Sequence, residues 1–162
     1  MSVLSAQSIR AECLAHDESM IFPFHERNEI KRSDGTKLSF GLGACSYDAR
    51  VDLGDTEAIM IMPHHSRLVS TFERFRLPNH IMAIVHDKSS WARRFLAAQN
   101  TLIDPGFIGY VTLELTNHGQ APITIRHGDP IVQLVFHWLD KATERPYDGK
   151  YQGQGRGPVE AR

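Results

Sequence analysis

The sequence has few of the residues that build disulfide or metal sites. Its two cysteines, Cys13 and Cys45, cannot form a disulfide framework, and they predict a reduced, cytoplasmic protein. The H-x-E half of a zinc nucleobase deaminase signature occurs at residues 16–18, but its second half, P-C-x-x-C, is absent, so we interpret "HDE" as a helix end. The pair His64 and His65 follows a proline and is typical of a turn. These absences predict no tightly held transition metal.

The sequence also lacks an excess of charge of one sign and any long apolar run. Its 18 Lys+Arg nearly balance 19 Asp+Glu, so the composition gives no sign of binding to nucleic acid or membranes. No apolar run is long enough to span a bilayer, and the N-terminus does not have the pattern of a signal peptide. P-loop and G-x-G-x-x-G motifs are missing. A chain of 162 residues with this composition suits one soluble domain with a real core.

Short β-rich segments separated by turn signals occupy most of the chain. The segments are "CSYDARVDLG", "AIMIMP", "RLVSTFERFRLP", "HIMAIVH", "GYVTLELTN", "PITIRHGDP" and "IVQLVFHWL". Near the N-terminus, Ser5 is expected to cap a helix over residues 6–15, with Ile9, Cys13 and Leu14 near one face. Many short strands with few helices favour a compact antiparallel β barrel or sandwich.

The segment "DKSSWARR" combines hydroxyl groups and positive charge. The run "SSWARRFLA" predicts a helix with Ser89 or Ser90 as its N-cap. Free backbone N–H groups at such a helix start can bind an anion, and Lys88, Arg93 and Arg94 would add positive charge. Ser89 and Arg93 are four residues apart and share a face. The alternative is an ordinary N-cap with solvated basic side chains.

The segment "IDPGFIGYVTLEL" places one glutamate in an otherwise uncharged strand. Its Asp-Pro-Gly sequence predicts a tight turn, which Asp104 could simply cap. In the strand that follows, alternation puts Val111, Leu113 and Leu115 on one face and Tyr110, Thr112, Glu114 and Thr116 on the other. Two interpretations of Glu114 remain open. It lies on a solvated face, or it is a buried carboxylate near Arg93 that acts as a general base.

The C-terminal segment "RPYDGKYQGQGRGPVEAR", residues 145–162, is rich in glycine and almost free of apolar residues. Its composition gives it no hydrophobic reason to pack on its own domain. It is either a disordered terminus or a lid that becomes ordered over a phosphate chain or a neighbouring subunit.

The order of these segments along the chain resembles that of a known protein family. The stretches "CSYDARVDLG", "TFERFRLPNHI", "DKSSWARR", "IDPGFIGYVTLEL", "GDPIVQLVF" and "YDGKYQGQGRGP" follow one another along the chain. Together they resemble the dCTP deaminase branch of the dUTPase-like superfamily over about residues 41–160. The "IDPGF-G-VTLE" block and the "KYQGQ-GP" tail are the most specific pieces.

The resemblance implies a mainly β fold, a distorted jelly-roll or β-clip barrel of the dUTPase-like type with one or two short helices. Residues 1–144 would form the barrel domain, and residues 145–162 the glycine-rich lid. The resemblance further implies a homotrimer with active sites between subunits and a zinc-free deamination of a deoxycytidine nucleotide. Mg²⁺ would be bound with the phosphates of the nucleotide rather than in a protein cage.

The resemblance also assigns roles to individual residues. Glu114 would be the general base that activates water, Arg93 would orient it, and Ser89 would help to hold the water. The residues expected to bind the substrate are Lys88, Ser90, Asn100, Asp104, Gln133, Tyr147, Lys150 and Gln154. Many relatives carry arginine at the position of Lys88, and lysine lacks the bidentate fork, so the number of phosphates recognised stays open, down to a monophosphate.

Two other functions remain possible from the sequence. Trimeric dUTPases share several of these segments and use the aspartate at the position of Asp104, but they lack a glutamate ten residues later, where this chain has Glu114. Their tails also carry a phenylalanine that is missing here. The resemblance therefore favours deamination over a dUTP diphosphatase, while a bifunctional enzyme remains possible. A nucleotide-binding regulator without turnover is the third alternative.

Overall fold

We describe the protein from a computed structural model, in which residues 2–14 and 18–161 are described. This part of the chain contains thirteen strands and two helices. In chain order they are β1 (Ser2–Val3), α1 (Ala6–Leu14), β2 (Ile21–Phe22), β3 (Asn28–Lys31), β4 (Lys37–Leu42), β5 (Tyr47–Asp52), β6 (Ala58–Ile61), β7 (Ser66–Arg76), β8 (Ile81–Asp87), α2 (Ser89–Ala92), β9 (Leu96–Ala98), β10 (Leu102–Ile103), β11 (Ile108–Asn117), β12 (Ile123–Arg126) and β13 (Pro130–Trp138).

Eleven of these strands form one antiparallel sheet that curls into a half-barrel. Its main path runs β10-β8-β13-β5-β7-β11-β9, and β6 pairs with β12 in a separate two-stranded sheet. Apolar side chains from the strands and from α1 form the core, among them Ile9, Tyr47, Phe75, Leu115 and Phe136, which are all fully buried. The predicted mainly β fold with short helices is confirmed. No helix in the described ranges is long and apolar enough to cross a bilayer.

The first predicted helix is confirmed over Ala6–Leu14, and the backbone N–H of Ser8 donates to Ser5 Oγ at its start. Ile9 and Cys13 are buried as expected. Leu14 was expected on the same face, but its side chain is 65% exposed, so that part of the prediction is wrong. The interpretation of "HDE" as a helix end falls on His16 and Asp17, which lie outside the described residues.

The second predicted helix is much shorter than the sequence suggested. It covers only Ser89–Ala92, and its N-cap is Lys88, which makes no side-chain capping hydrogen bond, so the prediction of a serine N-cap is wrong. Phe95 then adopts a positive φ of 63°, and the chain enters β9, which pairs with β11. Pairing with β11 therefore overrides the local helix propensity of "RRFLA".

The predicted alternation of β11 is confirmed. Val111, Leu113 and Leu115 are buried, whereas Thr112 and Glu114 on the other face are half-buried. The opposite face of the strand is therefore neither core nor open to solvent, and it is this face that carries the candidate site.

The C-terminal segment packs on its own domain, contrary to expectation. The backbone N–H of Gly153 donates to Ile108 O (2.8 Å), and that of Tyr110 donates to Gln154 O (3.0 Å). Gly109 allows this approach, because its φ is 154° and a Cβ there would lie 2.9 Å from Gln154 N. The composition was misleading because hydrogen bonds to the β11 backbone attach this segment, and its few aromatic side chains, Tyr147 and Tyr151, pack against the core.

Candidate active site

A cavity of about 540 Å³ lies between the start of β11, the turn before it and the C-terminal segment. Its lining residues are Leu68, Thr101, Leu102, Ile103, Asp104, Phe107, Tyr110, Val111, Thr112, Glu114, Tyr147, Tyr151, Gln154, Val159 and Ala161. Four of the residues singled out from the sequence, Asp104, Glu114, Tyr147 and Gln154, thus line one cavity. Its wall carries two carboxylates, and none of these lining residues is lysine, arginine or histidine.

Glu114 enters the cavity from the middle of β11. Its position is fixed on both sides, because it pairs with Leu68 of β7 and its carbonyl oxygen accepts from the N–H of Gln99 (3.0 Å). Among the described residues, no group donates a hydrogen bond to its carboxylate or forms an ion pair with it. The chain therefore holds the backbone of Glu114 firmly and leaves the carboxylate available to a ligand.

Asp104 lies in the turn before β11. The N–H of Phe107 donates to Asp104 O (3.2 Å), so the backbone closes the predicted turn. The exposed carboxylate of Asp104 makes no hydrogen bond with the described residues, so it does not cap this turn. Asp104 is thus a second carboxylate available to a ligand in the same cavity.

The C-terminal segment forms one wall of the cavity. Tyr147 packs edge-on against Phe107 with 5.9 Å between the ring centroids. Gln154 donates from Nε2 to the hydroxyl of Thr112 (2.7 Å). Lys150 lies over the ring of Tyr151, with its Nζ 5.0 Å from the ring centroid. Lys150 itself is not among the lining residues.

Lys88 and Gln133 meet away from this cavity. Lys88 is buried, and its Nζ lies 2.5 Å from Asp48 Oδ2. Gln133 donates from Nε2 to Ser46 Oγ (3.0 Å) and Asp48 Oδ1 (3.3 Å). Asp48 therefore joins the two residues that sequence reasoning assigned to the phosphates. Reasoning from the sequence missed Asp48 and Ser46, although both lie in the quoted segment "CSYDARVDLG".

The remaining predicted residues lie on the turn after β8 and on the loop before β10. Ser90 Oγ is buried and has no hydrogen-bond partner among the described residues. Ser89, Arg93 and Asn100 are exposed. The backbone N–H of Arg93 donates to Ser89 O (3.1 Å), but its guanidinium makes no hydrogen bond or ion pair within the described ranges. The segment after β8 thus presents the guanidinium of Arg93, whose positive charge no ion pair among the described residues balances.

One chain does not bring Arg93 and Glu114 together. In the antiparallel pair of β9 and β11, Leu96 lies opposite Asn117, so Glu114 lies near Gln99 at the far end of β9. Arg93 precedes Leu96 and is absent from the lining of the cavity. A single chain therefore carries the carboxylates and the arginine on two separate surfaces.

A second glutamate lies in β7, next to β11. Glu73 is fully buried and accepts from Arg50 Nε (2.7 Å) and from the Arg50 backbone N–H (2.8 Å). The guanidinium of Arg50 is stacked between Phe40 and Phe72, with its Cζ 4.7 and 4.3 Å from their ring centroids. Burial raises the pKa of Glu73 above its ordinary value, against the opposing effect of Arg50. The structure provides this glutamate with a permanent partner.

The described residues contain no group of three or more His, Cys, Asp or Glu that could hold a metal ion. Cys13 is buried, and burial raises the pKa of its thiol to about 12, which disfavours the thiolate that binds metals. His65 lies in a turn, as predicted, with its N–H bonded to Met62 O (3.1 Å). Mg²⁺ usually binds substrate phosphates and only one or two carboxylates, so it does not need a group of three protein ligands. The carboxylates of the described residues therefore fit a Mg²⁺ ion that arrives with a nucleotide.

Comparison with known proteins gives the same family as the sequence segments. Residues 3–139 match the dCTP deaminase-like family model. The dCTP deaminase of Pelagibacter ubique is 35% identical, and the alignment covers 95% of this chain and 96% of that protein. The dCTP deaminase of Pyrococcus horikoshii is 33% identical over 139 residues, covering 86% and 88%. A Corynebacterium glutamicum "dCTP deaminase, dUMP-forming" is 40% identical over 116 residues, covering 67% and 61%.

Solved structures with the same fold are dUTPases. The native EIAV dUTPase superposes with a TM-score of 0.53 and 23% identity, covering 81% of this chain and 98% of that one. The dUTPase of the S. aureus phage phi11 gives a TM-score of 0.53 at 13% identity, covering 78% and 90%. The fold, the family match and the relatives agree: the chain has the fold of dUTPases and belongs to the dCTP deaminase family of enzymes.

Proposed function

We propose that this protein is a dCTP deaminase that converts dCTP and water into dUTP and ammonia, with Glu114 as the general base and without zinc. Family membership and relatives named dCTP deaminase support the overall reaction. The observation that carries the role of Glu114 is its free carboxylate in a cavity of nucleotide-sized volume. A carboxylate held by its backbone but unpaired at its oxygens is free to accept a proton from water.

The chemistry requires one carboxylate to move two protons. Glu114 takes the first proton from water as the water oxygen forms a bond to C4 of the cytosine ring, and it passes this proton to N3, which takes up the electron pair of the former C4=N3 bond. Glu114 then takes the second proton from the new C4 hydroxyl and gives it to the 4-amino group, the C4–N bond breaks, and ammonia leaves. C4 becomes a carbonyl, and the product is dUTP. Rapid transfer in both directions needs a carboxylate that is not locked in a permanent ion pair.

Arg93 and Ser89 would complete the site from a second copy of the chain. Among the described residues of one chain, no cation lines the cavity of Glu114 and no carboxylate forms an ion pair with Arg93. A symmetric assembly that places the turn of one subunit against the cavity of the next would satisfy both residues. We propose a homotrimer of this kind, in which Arg93 orients Glu114 and Ser89 holds the attacking water.

The phosphates would lie against Lys88, Ser90 and Gln133. The buried, unpartnered hydroxyl of Ser90 supports this placement, because a buried polar group without a partner is rare unless a ligand or water provides one. Asp48 neutralises Lys88 within the described residues, so Lys88 contributes less net charge than a free cation. Mg²⁺ bound with the phosphates would supply the remaining charge compensation. A structural Mg(II) ion is described for the phage phi11 dUTPase, which has the same fold.

The remaining substrate contacts would come from Asp104, Asn100 and the C-terminal segment. Asp104 would accept from the deoxyribose 3′-hydroxyl, and Tyr147, Lys150 and Gln154 would cover the nucleotide, with residues 145–162 acting as a lid over the barrel of residues 1–144. The position of Asp104, Tyr147 and Gln154 around one cavity supports this assignment. The two free cysteines are consistent with a cytoplasmic location, which we include in the proposal.

A bifunctional enzyme that also hydrolyses dUTP is the second candidate. Asp104 supports it, because its exposed carboxylate, which has no partner among the described residues, shares the cavity with Glu114. The relative from Corynebacterium glutamicum, which is named as dUMP-forming, supports it too. In that case Asp104 would activate a second water for attack on the phosphate chain, and the products would be dUMP and pyrophosphate.

Product analysis separates the candidates. The purified protein with Mg²⁺ is given dCTP, dCMP or dUTP, and ammonia and pyrophosphate are measured by chromatography and coupled assays. Ammonia from dCTP without pyrophosphate is the expected result. Pyrophosphate in addition to ammonia establishes the bifunctional enzyme, and pyrophosphate from dUTP alone moves the chemistry to Asp104. No product from any of the three contradicts the proposed function and leaves a nucleotide-binding regulator.

The proposal that the reaction needs no zinc has its own test. The enzyme is stripped with a chelator, Mg²⁺ is restored, and the zinc content is measured on the same sample. We expect full ammonia release at a zinc content far below one ion per subunit. Activity that returns only when zinc is added contradicts this part of the proposal.

A further inference from the structure

Thr112 connects the cavity to the C-terminal segment. It lies on the same face of β11 as Glu114, two residues earlier, and both side chains line the cavity. Its hydroxyl oxygen accepts two hydrogen bonds from the C-terminal segment, from Gln154 Nε2 (2.7 Å) and from the backbone N–H of Val159 (3.0 Å). One side chain next to Glu114 therefore holds two separate points of this segment.

The hydroxyl hydrogen of Thr112 has no acceptor among the described residues. A hydroxyl can accept twice and donate once, and both of its lone pairs are used here. The remaining hydrogen must therefore point away from Gln154 and Val159. Because Thr112 lines the cavity, an acceptor atom of a ligand is the natural partner for this hydrogen.

We propose that Thr112 is a positioning residue that couples the seating of the pyrimidine to closure of the C-terminal segment. An acceptor of the base, its carbonyl oxygen or unprotonated ring nitrogen, would receive the hydroxyl hydrogen. A hydroxyl that donates becomes a better acceptor, so the bonds from Gln154 and Val159 would strengthen at the same moment. This inference rests on the proposed function, since it assumes that a deoxycytidine nucleotide occupies the cavity.

The chain offers a matched control for this residue. Thr116 lies on the same face of β11 and is also half-buried, but its hydroxyl bonds to Ser66 Oγ (2.8 Å). It neither lines the cavity nor contacts the C-terminal segment among the bonds of the described residues. Thr112→Val and Thr116→Val remove the same atom and preserve the branched shape, so a difference between them isolates the connection to the segment.

The test combines limited proteolysis with kinetics. Trypsin can cut this segment after Lys150 and Arg156, so the cleavage rate with and without dCTP and Mg²⁺ reports closure. We expect the nucleotide to protect wild type and Thr116→Val, Thr112→Val to lose most of this protection, and Thr112→Ser to regain it. The KM of Thr112→Val should rise by about tenfold, the loss expected for hydrogen bonds worth about 1.4 kcal/mol in total, with a smaller change in kcat.

The outcomes separate the two proposals. If wild type releases ammonia from dCTP and Thr112→Val is protected as wild type is, the coupling is wrong and the proposed function stands. The coupling is also wrong if the nucleotide does not protect wild type, or if Thr116→Val shows the same loss. If wild type releases no ammonia but dCTP protects its tail through Thr112, the proposed function fails and the coupling survives. Should Thr112→Val not fold, Thr112→Ser must still show protection, and its absence contradicts the coupling.

Discussion

Two glutamates on neighbouring strands have opposite surroundings. Glu73 in β7 is fully buried and bonded to Arg50, which is itself stacked between two phenylalanines. Glu114 in β11 is half-buried, lines a cavity and has no hydrogen-bond partner for its carboxylate among the described residues. The same residue type therefore serves two purposes. The glutamate paired with an arginine stabilises the fold, and the one without a partner among the described residues is available for chemistry.

The largest expected effect comes from Glu114→Gln. This change keeps the size of the side chain and removes the base, so kcat for ammonia release should fall by about a thousandfold. The melting temperature should hardly change, because the carboxylate makes no bond within the described structure. Steady-state ammonia release and thermal unfolding measure the two quantities. Ammonia release at the wild-type rate would show that Glu114 is not the base.

Arg50→Met should have the reverse effect, a loss of stability with little change in kcat. It leaves Glu73 buried without its cation, and breaking a buried ion pair in this way reduces the free energy of unfolding by about 3 kcal/mol. The folded fraction should keep its kcat. Urea unfolding gives the stability, and the double variant Arg50→Met/Glu73→Leu is the control, since removing both charges should restore much of the loss. A stable single variant with lost catalysis would reverse the roles assigned to the two glutamates.

Arg156→Gln tests the wall of the Glu114 cavity with a smaller expected effect. Arg156 donates to the buried Asp52 (3.2 Å) and lies over Phe72 and Tyr110. Its side chain is 58% exposed, so the pair with Asp52 should contribute about 0.6 kcal/mol, which corresponds to a rise in KM of about threefold. Lys141→Gln, at an exposed position outside the cavity, is the control. Equal kinetics for the two variants would show that Arg156 does not hold the segment in place.

The smallest expected effect is a pH dependence of stability. Burial raises the pKa of Glu73 above its ordinary value of 4.5, so the folded state binds the proton more tightly than the unfolded state. This contribution to stability is fully present below pH 4.5 and is lost as the pH rises through the folded-state pKa. Urea unfolding across this range should therefore show a fall in the Glu73 contribution with rising pH that Glu73→Gln removes. An identical pH profile for the variant would contradict the raised pKa.

The sequence predicted most strands and the face that carries Glu114. Alternation along β11 and the Asp-Pro-Gly turn are local signals, and both appear where they were expected. The helix after Ser89 was predicted too long because the end of that segment forms β9, and the strand with which β9 pairs, β11, is distant in sequence. The packing of the C-terminal segment was missed for a related reason, since its hydrogen bonds join it to residues more than forty positions earlier in the chain.

Part of the site could not be predicted from local patterns. Asp48 pairs with Lys88 across forty residues, and no periodicity shows which carboxylate a buried lysine will meet. The separation of Arg93 from Glu114 depends on the register of β9 against β11. Sequence order placed these two residues in one site, and the register shows that one chain does not join them.

The most direct test of the account is complementation between Glu114→Gln and Arg93→Ala. Each variant alone should release almost no ammonia from dCTP. Co-expressed with different tags and purified through both, mixed assemblies should contain interfaces with an intact glutamate from one copy and an intact arginine from the next. In a cyclic trimer that contains both variants, one of the three interfaces joins the two intact residues, so about one third of the wild-type activity is expected in these assemblies. If the mixed assemblies form but remain as inactive as the separate variants, the two surfaces do not build one site between subunits.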